Sequence, residues 1–152
     1  MTDEQDLGVV AKAIIDSSLY MVLGTADASG QPWVTPVYYA PVTYRELLWV
    51  SRPNATHSRN LRARPEVSIV IFDSSVPIGT GQGIYMYATA KEFADQELAD
   101  AIEVYSRRSL AHGGPNWTLE SIRPPAHLRL YRAVATQQFV LDEHDSRVPV
   151  TV

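Results

Sequence analysis

Apolar residues recur along this chain with two different periods, and the changes of period mark its elements. Between Glu4 and Asp16, Leu7, Val10, Ala11, Ile14 and Ile15 follow helical spacing, which predicts a short helix. From Tyr20 to Ala26 the residues are β-formers. Asp27-Ala28-Ser29-Gly30 is a turn cluster, and Pro32 to Ala40 is extended again, with Trp33, Val34, Thr35, Val37, Tyr38 and Tyr39. Two such runs around a turn predict a hairpin. Glu46 to Ser51 follows as a third strand. Asn54 to Arg64 reads as a short helix, with Asn54 as its N-cap and Pro65 as its stop.

Val67 to Phe72 is apolar almost throughout, the pattern of a strand buried on both faces. Ser74 to Gly83 holds Pro77, Gly79, Gly81 and Gly83 and is expected to be a loop. Ile84 to Phe93 is a strand. Asp95 to Arg108 is amphipathic, with Leu98, Ile102 and Tyr105 on one face, and Gly113-Gly114-Pro115 ends it. Leu128 to Leu141 is the last strand, ahead of a polar tail. The expectation is a β-dominated α+β chain, an antiparallel barrel of about six strands flanked by short helices.

Composition narrows the function classes. A length of 152 residues suits one domain spanning residues 1–152. The net charge of −4 argues against nucleic acid as a partner, because phosphate-backbone binding needs a basic face. There are no cysteines, so disulfides, thiolate metal sites and thiol nucleophiles are excluded. No apolar run approaches the ~20 residues that span a bilayer. Residues 1–6 lack the pattern of a signal peptide, so a cytoplasmic protein is expected.

One stretch departs from this acidic background. Leu47 to Arg64 contains no Asp or Glu. It carries His57 and four of the 13 Lys and Arg residues: Arg52, Arg59, Arg62 and Arg64. They surround an expected helix start, where unpaired N–H groups and the helix dipole favour an anion. Thr56 and Ser58 add hydroxyls, Arg59 adds a fork suited to phosphate, and Ser51 stands at the preceding strand end. A solvated basic helix start that caps itself with Asn54 accounts for the same residues.

The runs Leu47-Leu48-Trp49-Val50-Ser51, Thr56-His57-Ser58-Arg59-Asn60-Leu61 and Arg64-Pro65-Glu66-Val67-Ser68-Ile69-Val70-Ile71 together resemble the pyridoxamine 5′-phosphate oxidase-like, FMN-binding split-barrel family. Gly24-Thr25-Ala26 and Gly30 to Tyr38 resemble that family's first hairpin. The resemblance implies a split barrel and a homodimer, with FMN in a groove between the subunits. Ser51, Arg52, Thr56, His57, Ser58 and Arg59 would meet the phosphate, and Thr35, Pro36, Val37 and Tyr38 would follow the ring. Gln82 would touch a ring edge from across the dimer.

Two departures qualify this picture. Thr56-His57 stands where the family often has Arg-Lys, which softens the grip. Ala135 to Val140 lacks the Arg–His substrate motif of true pyridoxamine-phosphate oxidases, so that reaction is not expected. The resemblance implies an oxidoreductase acting on a small molecule. A deazaflavin reductase and a non-catalytic flavin- or haem-binding module are its alternatives. No residue is an evident acid or base.

The remaining candidates have plainer readings. Gly79-Thr80-Gly81-Gln82-Gly83 lacks the βαβ setting of a dinucleotide loop. Trp117 is expected to anchor its loop. Asp142-Glu143-His144-Asp145 has one His in a polar tail, and His112 and His127 are isolated in sequence, so no metal site is expected.

Overall fold

The computed structural model describes residues 4–152. Three helices are present: α1 (Glu4–Ser17), α2 (Thr56–Ala63) and α3 (Leu98–Ala111). The strands are β1 (Tyr20–Ala26), β2 (Pro32–Tyr38), β3 (Ala40–Thr43), β4 (Glu46–Ser51), β5 (Glu66–Phe72), β6 (Gly83–Glu92), β7 (Arg129–Leu141) and β8 (Arg147–Val150). All of them join one sheet in the order β2-β1-β5-β6-β7-β4-β3, with β8 paired to β7. Every pairing is antiparallel.

The sheet curls around its core. Val37 of β2 and Trp49 of β4 lie near opposite edges of the strand order, yet they share one buried cluster with Leu23, Ile69, Met86 and Tyr131. α1 closes this half-barrel with Leu7, Ala11 and Ile15, three successive i, i+4 positions on one stripe. α3 packs Leu98, Ile102 and Tyr105 on the other side of β4, against Leu48. The even-numbered and odd-numbered residues of β4 therefore face two different cores.

The architecture is the expected β-dominated split barrel, but its details differ from the sequence reading. There are eight strands, not about six. The run from Pro32 to Ala40 breaks at Tyr39, whose ring turns inward and whose hydroxyl donates to the Ile15 carbonyl at 2.6 Å. The polar tail is a hairpin. Asp142 accepts hydrogen bonds from the His144 and Ser146 N–H groups, and β8 then buries Val150 in the main core. An Asx-type turn of this kind reads as polar tail because its short side chain satisfies the backbone locally.

β5 is also not buried on both faces. Val67, Ile69 and Ile71 are buried, whereas Ser68 and Phe72 are exposed. Among the described residues its apolar outer face is open and lines a groove. The segment from Asp95 begins as a 3₁₀ turn (Asp95–Glu97), and α3 runs on to Ala111. Among the described residues no helix is long and apolar enough to cross a membrane.

Candidate functional site

β4 ends on Ser51, a turn closes from the Ala55 N–H to the Arg52 carbonyl at 3.1 Å, and α2 begins at Thr56. The N-cap is Ala55, not Asn54, and no side chain caps the helix. Asn54 lies in the turn one residue too early to reach the first free N–H groups. The first helical bond is Arg59 N–H to Ala55 carbonyl, at 3.0 Å. The N–H groups of Thr56, His57 and Ser58 thus lack intrahelical acceptors, and no acidic residue stands in the first turn. This leaves a concave set of donors at the positive end of a helix.

The side chains around it divide into two groups. Arg62 bonds the Pro53 carbonyl and also the Ser58 carbonyl, at 3.4 Å, which closes the turn. Arg64 donates to the Ala28 carbonyl at 3.0 Å. These two arginines hold the fold. Arg52 and Arg59 are exposed and form no ion pair among the described residues.

His57 is half-buried, and its Nε2 lies 2.7 Å from Ser51 Oγ. Burial pushes its imidazole below the ordinary value, so the ring is neutral at pH 7. Ser58 is fully buried. The buried Tyr131 hydroxyl is the neighbour of its Oγ, and neither group has any other hydrogen-bond partner among the described residues. The Ser58 hydroxyl therefore faces the core, and what this residue offers outward is its N–H.

Asn60 anchors α2 to β1 through Nδ2 to Thr25 Oγ1 at 3.1 Å, and α2 packs against both β1 and β2. This places the helix start beside β2, an edge strand whose only ladder partner among the described residues is β1. Its outer rim carries unpaired backbone groups. Thr35 and Tyr38 are half-buried, Pro36 is exposed, and Val37 points into the core. Ser51, Arg52, Thr56, His57, Ser58 and Arg59 are brought together next to this strand.

Gln82 is not among them. α2 precedes the start of β5, and Gln82 follows the loop after its end. Its amide clamps that loop: Nε2 donates to the Leu141 carbonyl at 2.7 Å, and Oε1 accepts from Leu141 N–H at 2.9 Å.

Two surface features escape the sequence reading. A groove of about 480 Å³ runs across the outer face of the sheet, lined by Val22, Val34, Val70, Tyr87 and Phe139 among others. The continuous apolar run of β5 hid it, because burial there alternates only in the folded sheet. A second cleft, of about 300 Å³, lies at the C-terminus of α3 between Tyr20, Tyr38, His112 and Trp117. Its members are distant in sequence, and no local pattern joins them.

A family model described as pyridoxamine 5′-phosphate oxidase matches residues 10–138. A search of curated protein sequences gives no match. Among solved structures, a haem-binding protein from Mycobacterium smegmatis superposes with a TM-score of 0.74 at 19% identity, over 93% of this chain and 56% of that one. This chain thus spans little more than half of the Mycobacterium protein. The haem-storage protein HutZ from Vibrio cholerae gives 0.70 at 22% identity, covering 88% and 94%. An FAD-binding protein from Mesorhizobium loti gives 0.67 at 19%, covering 87% and 91%. At these identities the likeness is one of fold.

Proposed function

This chain belongs to the pyridoxamine 5′-phosphate oxidase family, and from that premise we propose that it is a homodimeric FMN-binding oxidoreductase acting on a small molecule. The observation that carries the proposal is the start of α2. Three backbone donors stand uncapped there, with the free guanidinium groups of Arg52 and Arg59 on the same acid-free stretch. Such a set suits a phosphate. The residues present therefore fit the cofactor's charged end.

Thr56, His57 and Ser58 would hold the phosphate through their N–H groups, Thr56 through its hydroxyl as well, and Arg59 through its fork. The rim of β2 from Thr35 to Tyr38 would lie along the ring, with free backbone donors and acceptors for its polar edge. When bound, the flavin supplies hydride transfer. The protein's part is to grip one end, to orient the other, and to keep water off it. The uncovered outer face around Val34, Tyr87 and Phe139 favours a second copy of the chain as that cover. True pyridoxamine-phosphate oxidation is not proposed, because Ala135 to Val140 carries no Arg–His pair.

A deazaflavin coenzyme on the same surface is the second reading, and the neutral His57 is what favours it. Without a cation at positions 56 and 57 the grip relies on Arg52 and Arg59, and a singly charged phosphodiester asks less of it than a doubly charged phosphate monoester. Parallel titrations with FMN, a deazaflavin coenzyme and haemin separate the readings. FMN is expected to bind at micromolar concentration with quenching of its fluorescence. No FMN binding at that concentration overturns the first reading, and tight haemin binding alone moves the chain to the haem-binding class of its structural neighbours.

A further inference from the structure

The aromatic cleft at the end of α3 is built in advance of any ligand. α3 ends in a Schellman arrangement: Gly114 N–H bonds the Ser109 carbonyl at 2.8 Å, and Gly113 N–H bonds the Leu110 carbonyl at 3.1 Å. Gly113 takes a φ of 77°, which favours glycine. The chain then folds back onto the helix, and two buried serines staple it there. Ser106 Oγ donates to Asn116 Oδ1 and accepts from Trp117 N–H, each at 2.8 Å. Ser109 Oγ donates to the Pro115 carbonyl at 2.8 Å and accepts from Trp117 Nε1 at 3.3 Å.

Trp117 is thereby fixed edge-on to Tyr105 at 5.6 Å. Tyr105 meets Tyr38 at 5.8 Å, and Tyr38 meets Tyr20 at 6.1 Å, all three pairs T-shaped. The wall is rigid, aromatic and without a carboxylate or ammonium among its lining residues.

Its polar groups are nearly all spent inward. Ser109 and the Trp117 indole satisfy each other, and the Tyr105 hydroxyl is directed to the Val50 backbone. What remain are the hydroxyl of the exposed Tyr20 and that of Tyr38, which lies 2.9 Å from His112 Nδ1. Either tautomer leaves one donor over. If Tyr38 donates to Nδ1, the imidazole Nε2–H is free; if Nδ1–H donates to Tyr38, the phenolic O–H is free. The pair therefore always presents one hydrogen-bond donor. Behind it, the Arg108 guanidinium bonds the Ser18 carbonyl at 2.7 Å and sets a positive charge beside Tyr38, which disfavours a cation in the cleft.

We propose that this cleft binds an uncharged planar aromatic molecule carrying a carbonyl oxygen, with the ring between Tyr20, Tyr105 and Trp117 and the oxygen accepting from the Tyr38–His112 pair. A volume of about 300 Å³ is at the lower end for small-molecule sites and holds a one- or two-ring compound. Binding here does not depend on a bound flavin. The cleft shares Tyr38 with the β2 rim proposed for the flavin ring, using its hydroxyl where the rim offers backbone groups, and only the designation of such a ligand as the substrate rests on the flavin reading.

The test is titration of the purified protein with 2-acetylnaphthalene, followed by NMR, beside 2-ethylnaphthalene and cyclohexyl methyl ketone. The acetyl compound is expected to bind about tenfold more tightly than the ethyl compound, which lacks the acceptor, and than the ketone, which lacks the aromatic ring. Shifts are expected at the Gly113 and Gly114 amides and at the Trp117 indole N–H. Tyr38→Phe keeps the ring, and His112→Ala alters an exposed side chain. In variants with an unchanged thermal midpoint, either change alone leaves one donor of the pair in place, and the double variant Tyr38→Phe/His112→Ala should abolish most of the preference for acetyl over ethyl while naphthalene binding persists. Equal affinity for the two naphthalenes overturns the proposal, as does an unchanged preference in the double variant. So do shifts confined to the groove at Tyr87 and Phe139, or no binding at the solubility limit. Loss of FMN binding in a separate titration leaves these outcomes as they are.

Discussion

At the scale of single residues, the basic stretch divides by what each guanidinium touches. Arg62 and Arg64 are bonded to backbone carbonyls and serve the fold, while Arg59 is exposed. Arg59→Ala is therefore expected to leave stability within about 0.5 kcal/mol of wild type. It should weaken FMN binding by roughly 10- to 100-fold, the worth of a charge-assisted contact of about 1.5–3 kcal/mol. A thermal melt and a fluorescence titration check the two halves. His57 gives a pH dependence. Burial lowers its pKa from 6.5, so as pH falls the unfolded chain takes up the proton before the folded one does. The contribution of this residue is complete above its unfolded value and is lost as pH drops towards the lower folded one. Urea midpoints at about pH 7.5 and about pH 5.5 should show a loss in wild type that is smaller in His57→Gln.

At the scale of elements, helix ends carry most of what is distinctive. The basic, acid-free character of the start of α2 was legible in sequence, but the cap was not. Asn54 is a good N-cap by type, and the turn closed by Ala55 and Arg52 displaces it from the capping position. The helix end of α3 was legible from Gly113-Gly114-Pro115, because a left-handed residue after a helix selects glycine. Gly113→Ala places a side chain at φ 77° and is expected to cost about 1–2 kcal/mol. Differential scanning calorimetry measures that cost. Gly114 is constrained differently, since a Cβ there would lie 2.5 Å from Ser109 Oγ. The same turn holds His112 against Tyr38, so its geometry also sets the aromatic cleft.

At the scale of the whole molecule, one side of the sheet wraps a core and much of the other side is open. Val34, Tyr87 and Trp33 expose half or more of their surface, and the groove between the strands is mostly apolar. Sequence reading took β5 as buried on both sides, and the second cover it implied is not supplied by this chain. The partner copy proposed above would account for that mismatch. The 16.9 kDa chain is expected to run in light scattering at about twice its mass. Tyr87→Glu, which places a charge on the open face without touching the core, should give the single-chain mass. A wild-type protein that stays monomeric at high concentration removes the homodimer from the proposed function.

The sequence by itself determined the element types, the β-dominated class and the acid-free stretch at a helix start, because periodicity, turn chemistry and local charge are all short-range properties. Three things were decided only by the tertiary structure. Curling of the sheet brought α2 beside the open rim of β2. A local Asx turn made a strand of the polar tail, and the fold-back after α3 carried His112, isolated in sequence, to the hydroxyl of Tyr38, 74 positions away. The donor set at the start of α2 could be read early because its members are neighbours along the chain. The aromatic cleft could not, because its walls come from β1, β2 and α3 and meet only when the sheet closes.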